Sequence, residues 1–185
     1  MTAIVGFSKN NTVYMAGDTQ GSSDLVKYEV TRPKVFKNGE FLFGYTSSFR
    51  FGDILEYIFV PPARAFDMTD IAYLIKYFIP ELRECLEKHK YTGIDENGQS
   101  GNFLLGYRGH LYEVQGDFSI VEPTQNFASV GSGFAYCLGA MSVLVKTAYP
   151  PEDIVRKAVE ASINHSPYVG GQVTVMVLEY KEGNR

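Results

Sequence analysis

The sequence predicts an α+β protein built as a four-layer αββα sandwich. Two observations support this fold class: blocks of strands alternate with pairs of helices, and the strands within a block follow one another through short turns, as antiparallel strands do. The chain has 185 residues, of which 45% are hydrophobic and 21% are charged. Since neither a linker nor a repeat divides the sequence, residues 1–185 are expected to form a single domain.

Two hairpins are predicted at the start of the chain. Apolar runs at residues 3–7 and 12–16 are separated by a polar stretch, which is typical of a hairpin turn. Residues 34–37 and 40–45 flank Asn38-Gly39, a dipeptide that strongly favours a tight turn. Four strands are therefore expected before any helix.

Two helices are expected next. Apolar residues recur at helical spacing over residues 51–58 and 71–86. Pro80 is expected to kink the second helix, because proline removes one helical N–H and crowds the preceding turn. The first helix is expected to contact a neighbouring subunit through its apolar side chains, Phe49, Phe51, Ile54, Tyr57, Ile58 and Phe59.

The second half of the chain returns to strands and then repeats the pattern of two helices. A glycine-rich break at residues 131–133 precedes the first of these helices, and the second opens with prolines and carboxylates, which suit a helix N-terminus. The predicted strands are residues 102–107, 110–114, 119–122, 127–130 and 172–180, and the predicted helices are residues 134–146 and a helix that begins at Pro150.

Charge and composition exclude several classes of function. The formal net charge is −4, from 17 basic and 21 acidic residues mixed along the chain, so no basic face for nucleic acid is expected. The N-terminus lacks the basic and apolar regions of a signal peptide, and the apolar runs are too short to cross a membrane. Cys85 and Cys137 are isolated and are expected to be buried free thiols. A cytoplasmic protein is predicted.

Thr2 is the first candidate catalytic residue. A threonine hydroxyl needs a base to become a useful nucleophile, and loss of Met1 would give Thr2 a free α-amine with an ordinary pKa of about 7.7–8.0. Asp18 and Lys34 follow at intervals of 16 residues, each at a predicted strand end. In a tight hairpin Asp18 returns beside Thr2, and an ammonium at Lys34 would favour the developing alkoxide.

These residues belong to a set of motifs that resembles the proteasome β-subunit and HslV family. The set comprises T-A-I-V-G-F from Thr2, A-G-D ending at Asp18, Lys34, G-Y-T-S-S from Gly44 and V-G-S-G from Val130. The resemblance implies an N-terminal nucleophile (Ntn) hydrolase fold and a threonine endopeptidase. It also implies that Thr2 is the nucleophile, that Asp18 and Lys34 are catalytic, and that Ser132 supports the terminal amine.

The sequence departs from the family pattern at two places. Ser47-Ser48 stands where the family usually has Gly-Gly, and the resemblance assigns the oxyanion-binding N–H to Ser47, whose side chain would narrow the groove. Ser166 and Val169 stand where proteasome subunits carry an aspartate and a serine that support the amine. By the same match, Tyr45 is expected to form the floor of the primary specificity pocket and to limit its depth.

The resemblance also implies partners. It predicts a ring-forming homo-oligomer, peptide or unfolded protein as substrate, and an ATP-dependent unfoldase that delivers it. No cofactor is expected. No metal is expected either, because His89, His110 and His165 are scattered and no cluster has metal-ligand spacing.

Two other functions stay open at this point. A catalytically silent ring subunit with an assembly or binding role is favoured by Ser47-Ser48, Ser166 and Val169. An amide hydrolase of the same fold acting on small molecules is less favoured, since such enzymes commonly use Cys or Ser. Two further motifs are disfavoured: Ser132 lies out of register for a nucleophile elbow, and Tyr136 replaces the third glycine of a dinucleotide fingerprint.

Overall fold

A computed structural model describes residues 2–22, 25–65, 67–93 and 101–181. The strands form two main sheets, ordered β10-β1-β2-β11 and β5-β6-β7-β8-β9, and a small sheet of β3 and β4, and every recorded pairing is antiparallel. The strands are β1 (Ile4–Lys9), β2 (Thr12–Asp18), β3 (Gln20–Ser22), β4 (Lys27–Glu29), β5 (Val35–Asn38), β6 (Phe41–Tyr45), β7 (Phe103–Tyr107), β8 (His110–Val114), β9 (Ile120–Val121), β10 (Phe127–Val130) and β11 (Val173–Glu179).

Helices cover the outer faces of the two main sheets. They are α1 (Phe49–Tyr57), α2 (Asp70–Tyr73), α3 (Ile79–Lys88), α4 (Phe134–Leu144) and α5 (Pro151–His165). A π-helical turn, Leu74–Phe78, joins α2 to α3 without a break. Within the described residues, no helix has both the length and the apolar composition needed to cross a bilayer.

Three apolar cores define the order of the layers. One lies between the first sheet and α4 with α5, and includes Val5, Cys137 and Val159. The second lies between the two sheets and is formed by their facing side chains, such as Met15 and Leu104. The third lies between the second sheet and α1 to α3. The architecture is therefore helix, sheet, sheet, helix, as the sequence predicts.

Tight turns set the register of the hairpins. Asn10 and Asn11 both have positive φ, at 52° and 57°, and connect Lys9 to Thr12 in a turn whose twist matches the strands. In the second hairpin the turn residues are Gly39 and Glu40, because Asn38 is still paired with Phe41. The expected turn at Asn38-Gly39 is thus displaced by one residue, with Gly39 at φ 59°.

The irregular part of the helix around Pro80 lies before the proline rather than at it. The π-helical turn ends at Phe78, two residues before Pro80, which is the second residue of α3. The π-helical turn is wider than an α-helical turn and shifts the hydrogen-bond pattern just before Pro80. The helix therefore continues past the proline.

The prediction of only four strands before α1 is wrong. Two further strands, β3 and β4, lie between Asp18 and Val35. Each has three residues, and all three residues of β4 are exposed, so neither strand carries the apolar alternation that identifies a strand.

The predicted role of α1 at a subunit contact also needs correction. Phe51, Ile54 and Phe59 are buried in the core beneath the second sheet, with at most 3% of each residue exposed. Only Tyr57, at 66%, presents a largely exposed aromatic side chain from this set. The aromatic residues of α1 therefore pack mostly inward.

Candidate active site

The first hairpin brings Asp18 beside the start of the chain. Ile4 is paired with Gly17, which places Asp18 opposite Ala3. The Ala3 N–H donates to Asp18 Oδ1 at 3.0 Å, and the Asp18 N–H donates to the Ala3 carbonyl at 3.3 Å. Thr2 precedes Ala3, just before β1, so the register of the hairpin holds it close to the carboxylate.

Lys34 reaches Asp18 from the other main sheet. Its Nζ donates to Asp18 Oδ1 at 2.9 Å and to the Gln20 carbonyl at 2.6 Å. Asp18 is fully buried and only 2% of Lys34 is exposed, so this ion pair lies out of water. Burial lowers the pKa of the Lys34 ammonium, and the Asp18 carboxylate opposes that shift.

The Asp18 carboxylate is also held by backbone donors. Its Oδ2 accepts from the N–H of Gln20 at 3.2 Å and from the N–H of Gly170 at 3.3 Å. These donors satisfy the oxygens of a carboxylate that is buried away from water. The sequence pointed to Asp18 and Lys34 but missed these partners, because backbone groups leave no pattern in residue type.

The turn after β10 holds the backbone of Thr2. The Thr2 N–H donates to Ser132 Oγ at 3.1 Å, and Ser132 Oγ donates to the Thr2 carbonyl at 3.3 Å. The Gly133 N–H also donates to that carbonyl, at 3.1 Å. Gly131 has φ 93°, and a Cβ on it would lie 2.3 Å from the Thr2 oxygen. Glycine is needed there for both reasons.

A cleft joins these groups to the remaining candidates. It has a volume of about 180 Å³, and Thr2, Lys34, Tyr45 and Ser47 all line it. The other residues that line it are Gln20, Gly21, Ser22, Tyr28, Thr46, Ser48 and Phe49. The structure therefore brings the sequence-predicted nucleophile, cation, pocket residue and oxyanion residue to one cleft, and Ser132 adjoins it through Thr2.

The loop between β6 and α1 carries Ser47 into this cleft. Thr46 donates its hydroxyl to the Asn102 carbonyl at 2.5 Å, and Ser48 caps α1 by accepting from the Phe51 N–H at 3.1 Å. Ser47, between these two anchors, has φ 74°, a left-handed conformation that is uncommon for serine. The local backbone thus has the form that favours glycine, although serine occupies it.

Tyr45 lines the cleft but also packs beneath α1. Only 4% of it is exposed, and its ring lies 6.1 Å from that of Phe36, measured between centroids. Burial raises the pKa of Tyr45 to about 12, while the nearby Arg32 guanidinium acts in the opposite direction. Its hydroxyl is therefore neutral near pH 7.

Gly52 of α1 leaves the space that the Tyr45 ring fills. A Cβ at Gly52 would lie 2.3 Å from Tyr45 Cζ. We expect Gly52→Ala to lower the free energy of unfolding by about 1–3 kcal/mol, because the buried Tyr45 ring or the helix must shift to admit the added methyl group. Urea denaturation measures this.

Gly139→Ala is the matched control for that substitution. Gly139 also lies in a helix, α4, but a Cβ there would meet nothing within 4 Å. Alanine is favoured over glycine in a helix by about 1 kcal/mol, so this variant is expected to be at least as stable as the parent. Equal stabilities for the two variants would contradict the packing described for Tyr45.

Comparison with known proteins relates this arrangement to one family. No family model matches the sequence. A curated protein from Caldicellulosiruptor saccharolyticus, "ATP-dependent protease subunit HslV", is 26% identical over 181 residues, covering 96% of this chain and 98% of the relative. A protein of the same name from Oceanobacillus iheyensis is 25% identical over 183 residues, covering 96% of each. The chain is HslV-like.

Solved structures share the fold. "Thiobacillus denitrificans BPH" superposes with a TM-score of 0.82 at 22% identity, covering 98% of this chain and all of the other. HslV from Trypanosoma brucei superposes with a TM-score of 0.68 at 20% identity, covering 97% of this chain and all of the other. The four-layer αββα sandwich of this HslV-like chain is therefore the Ntn hydrolase fold.

Two residues of this HslV-like chain depart from the pattern that the resemblance implies near the Thr2 nitrogen. Ser166 accepts from the Tyr168 N–H at 3.2 Å, and Val169 is 3% exposed in the core beneath α4 and α5. Among the described hydrogen bonds, the one made by the Thr2 nitrogen goes to Ser132. Support for that nitrogen thus comes from the turn after β10.

Proposed function

We propose that this chain is a threonine-type peptidase subunit of a self-compartmentalised protease, which cleaves peptide bonds through an acyl-enzyme on Thr2. The observation that carries the proposal is the buried Lys34–Asp18 ion pair, 2.9 Å long, at the cleft that Thr2 lines. Burying a cation is costly even when it is paired, and perturbed ionisable groups in a cleft are typical of catalytic sites.

Each residue has one role in the proposed reaction. The Thr2 hydroxyl attacks the peptide carbonyl and gives its proton to the α-amine that Met1 removal exposes. The tetrahedral oxyanion accepts a hydrogen bond from the Ser47 N–H. As the C–N bond breaks, the amine returns the proton to the leaving nitrogen, and an ester remains on Thr2. Water then attacks this ester, releases the acid and restores the hydroxyl.

Lys34, Asp18 and Ser132 support that sequence without forming bonds to substrate. The Lys34 ammonium lowers the energy of the Thr2 alkoxide and favours the neutral amine, since two like charges repel. Asp18 holds Lys34 in place and offsets the cost of burying it. Ser132 orients the Thr2 nitrogen.

The lining of the cleft bears on the preferred side chain of the substrate. Tyr28, Tyr45 and Phe49 supply aromatic surface, and Lys34, the charged residue of the lining, is paired with Asp18. A volume of about 180 Å³ suits a side chain of small to medium size. We therefore propose that cleavage follows uncharged, apolar residues, with Tyr45 limiting the depth.

The relatives supply the proposed context. Those matched by sequence are named as ATP-dependent protease subunits, and a structure of "Thiobacillus denitrificans BPH in complex with Epoxomicin" superposes with a TM-score of 0.81. On this basis we propose a cytoplasmic homo-oligomeric ring of single-domain subunits that receives unfolded protein from an ATP-dependent partner.

A second function, a catalytically silent ring subunit, is favoured by one observation. Ser47 occupies a left-handed position at φ 74° where the family has glycine, so its side chain adds bulk at the edge of the cleft. In this alternative the ring assembles and binds partners without turnover.

Covalent labelling distinguishes these two functions. Protein freed of Met1 is incubated with epoxomicin, and its intact mass is measured. One adduct per chain, mapped to Thr2 by peptide sequencing and absent from Thr2→Ala, is expected for the peptidase. Absence of any adduct on the Met1-free parent would favour the silent subunit.

A further inference from the structure

We infer that Gly101 is a positioning residue for the oxyanion-binding N–H of Ser47. The inference rests on the proposed function of that N–H. The loop that carries Ser47 runs beside residues 101 and 102, just before β7, and Thr46 is tied to this segment through the Asn102 carbonyl. Gly101 thus lies beside the loop that carries Ser47.

The side chain of Ser47 occupies the space that a side chain on residue 101 would need. A Cβ placed on Gly101 would lie 1.5 Å from Ser47 Oγ and 2.6 Å from Ser47 Cβ. The next nearest atom, Thr46 Oγ1, would be 3.4 Å away, which is an ordinary contact. Of these three atoms, only the two of Ser47 would be too close to a side chain on residue 101.

These two contacts differ in how they can be relieved. Rotation about χ1 moves Ser47 Oγ away from residue 101. The same rotation leaves Ser47 Cβ in place, because the position of Cβ is fixed by the backbone. A side chain at residue 101 therefore requires the backbone of residue 47 or residue 101 to move.

Movement of this backbone would affect catalysis more than binding. The Ser47 N–H must point at the place where negative charge develops, and loss of one such donor typically costs about 100- to 1000-fold in kcat. Partial misplacement by a few tenths of an ångström is expected to cost less, on the order of tenfold. Glycine at residue 101 lets a serine stand at a left-handed position that the family fills with glycine.

A double-mutant cycle tests the inference. The variants are Gly101→Ala, Ser47→Gly, Ser47→Ala and the two combinations with Gly101→Ala. Each is prepared without Met1, and kcat, KM and the thermal midpoint are measured. Gly101→Ala is expected to lower kcat about tenfold with KM changed less than about threefold. Its thermal midpoint is expected to fall by about 2–4 °C.

The combined variants identify the responsible atom. In the Ser47→Gly background both close contacts are gone, so adding Gly101→Ala should change kcat and the midpoint little from those of Ser47→Gly alone. In the Ser47→Ala background the 2.6 Å contact with Cβ remains, so adding Gly101→Ala should still reduce both. Rescue by Ser47→Gly but not by Ser47→Ala therefore supports the inference.

Three results would overturn it. Additive effects of Ser47→Gly and Gly101→Ala would show that the two residues are uncoupled. Equal rescue by Ser47→Ala would assign the conflict to the mobile hydroxyl and remove the backbone from the argument. If the two substitutions are coupled in the thermal midpoint but Gly101→Ala keeps the parent kcat, then Gly101 has a structural role only. If the parent neither hydrolyses peptide nor reacts with epoxomicin, the proposed function is wrong. The inference about Gly101 would still be tested, because additive changes in the thermal midpoint would show that Gly101 and Ser47 are not coupled.

Discussion

Removal of Met1 is expected to raise peptide turnover from background to full activity. While Met1 is attached, the Thr2 nitrogen is a planar amide without basic character, so it cannot accept the hydroxyl proton. Its one described hydrogen bond, to Ser132 at 3.1 Å, is a donor contact that an amide and an amine can both make. The nucleophile is in place, but the base is missing.

The comparison requires two forms of the same protein. One keeps the Thr2 nitrogen as an amide through a tag fused ahead of Met1. The other is trimmed to Thr2, and intact mass confirms each form. We expect at least a 1000-fold difference in kcat/KM, given that general base catalysis and nucleophile activation are lost together. Equal rates would show that Thr2 does not act as an N-terminal nucleophile.

Lys34→Ala and Asp18→Asn are each expected to reduce turnover by roughly 100-fold or more. Lys34→Ala removes the cation that favours the alkoxide. It leaves Asp18 buried, but the N–H groups of Ala3, Gln20 and Gly170 still hold the carboxylate. The fold is therefore expected to survive, although breaking a buried ion pair can cost about 3–5 kcal/mol.

Asp18→Asn acts on the same pair from the other side. It removes the charge that keeps Lys34 protonated in a buried site, so the pKa of Lys34 should fall further below its ordinary value. Turnover of this variant is then expected to fall most steeply as the pH is raised, because Lys34 loses its proton at lower pH than in the parent.

Lys37→Ala is a matched control for the lysine variant. Lys37 lies three residues further on, in β5, but is exposed, so its loss should leave turnover and stability near the parent values. Circular dichroism and a thermal scan of each variant separate loss of chemistry from loss of fold. Near-parent activity in a folded Lys34→Ala protein would remove Lys34 from the mechanism.

Elements with a strong local signal were predicted well from the sequence. Strands β8 and β10 have the predicted bounds, since each carries apolar residues between turn-forming residues. The hairpin of β1 and β2 closes as expected, and its register places Asp18 beside Thr2. The short, polar strands β3 and β4 were missed, because they are stabilised by pairing with each other rather than by burial of an apolar face.

Within the candidate site, the side chains could be predicted from the sequence, whereas the backbone donors could not. Residue type and spacing were sufficient to select Thr2, Asp18 and Lys34 as candidates, because each has side-chain chemistry and lies at the end of a predicted element. The family resemblance added Ser132. The Gly170 N–H that binds Asp18 lies 152 residues away in sequence and could not be selected in this way. Backbone donors carry no signature of residue type.

The sequence by itself determined the order of the layers, the first hairpin and the residues able to act as nucleophile, cation and counter-ion. The layers and the hairpin follow from periodicity and turn chemistry, both of which act over a few residues. The candidate site residues follow from side-chain chemistry, their spacing and the family resemblance. The tertiary structure decided how Lys34 is desolvated, which backbone groups hold Asp18, and that the side chain of Ser47 requires glycine at residue 101. Burial and steric exclusion arise between segments far apart in sequence, so only their packing reveals them.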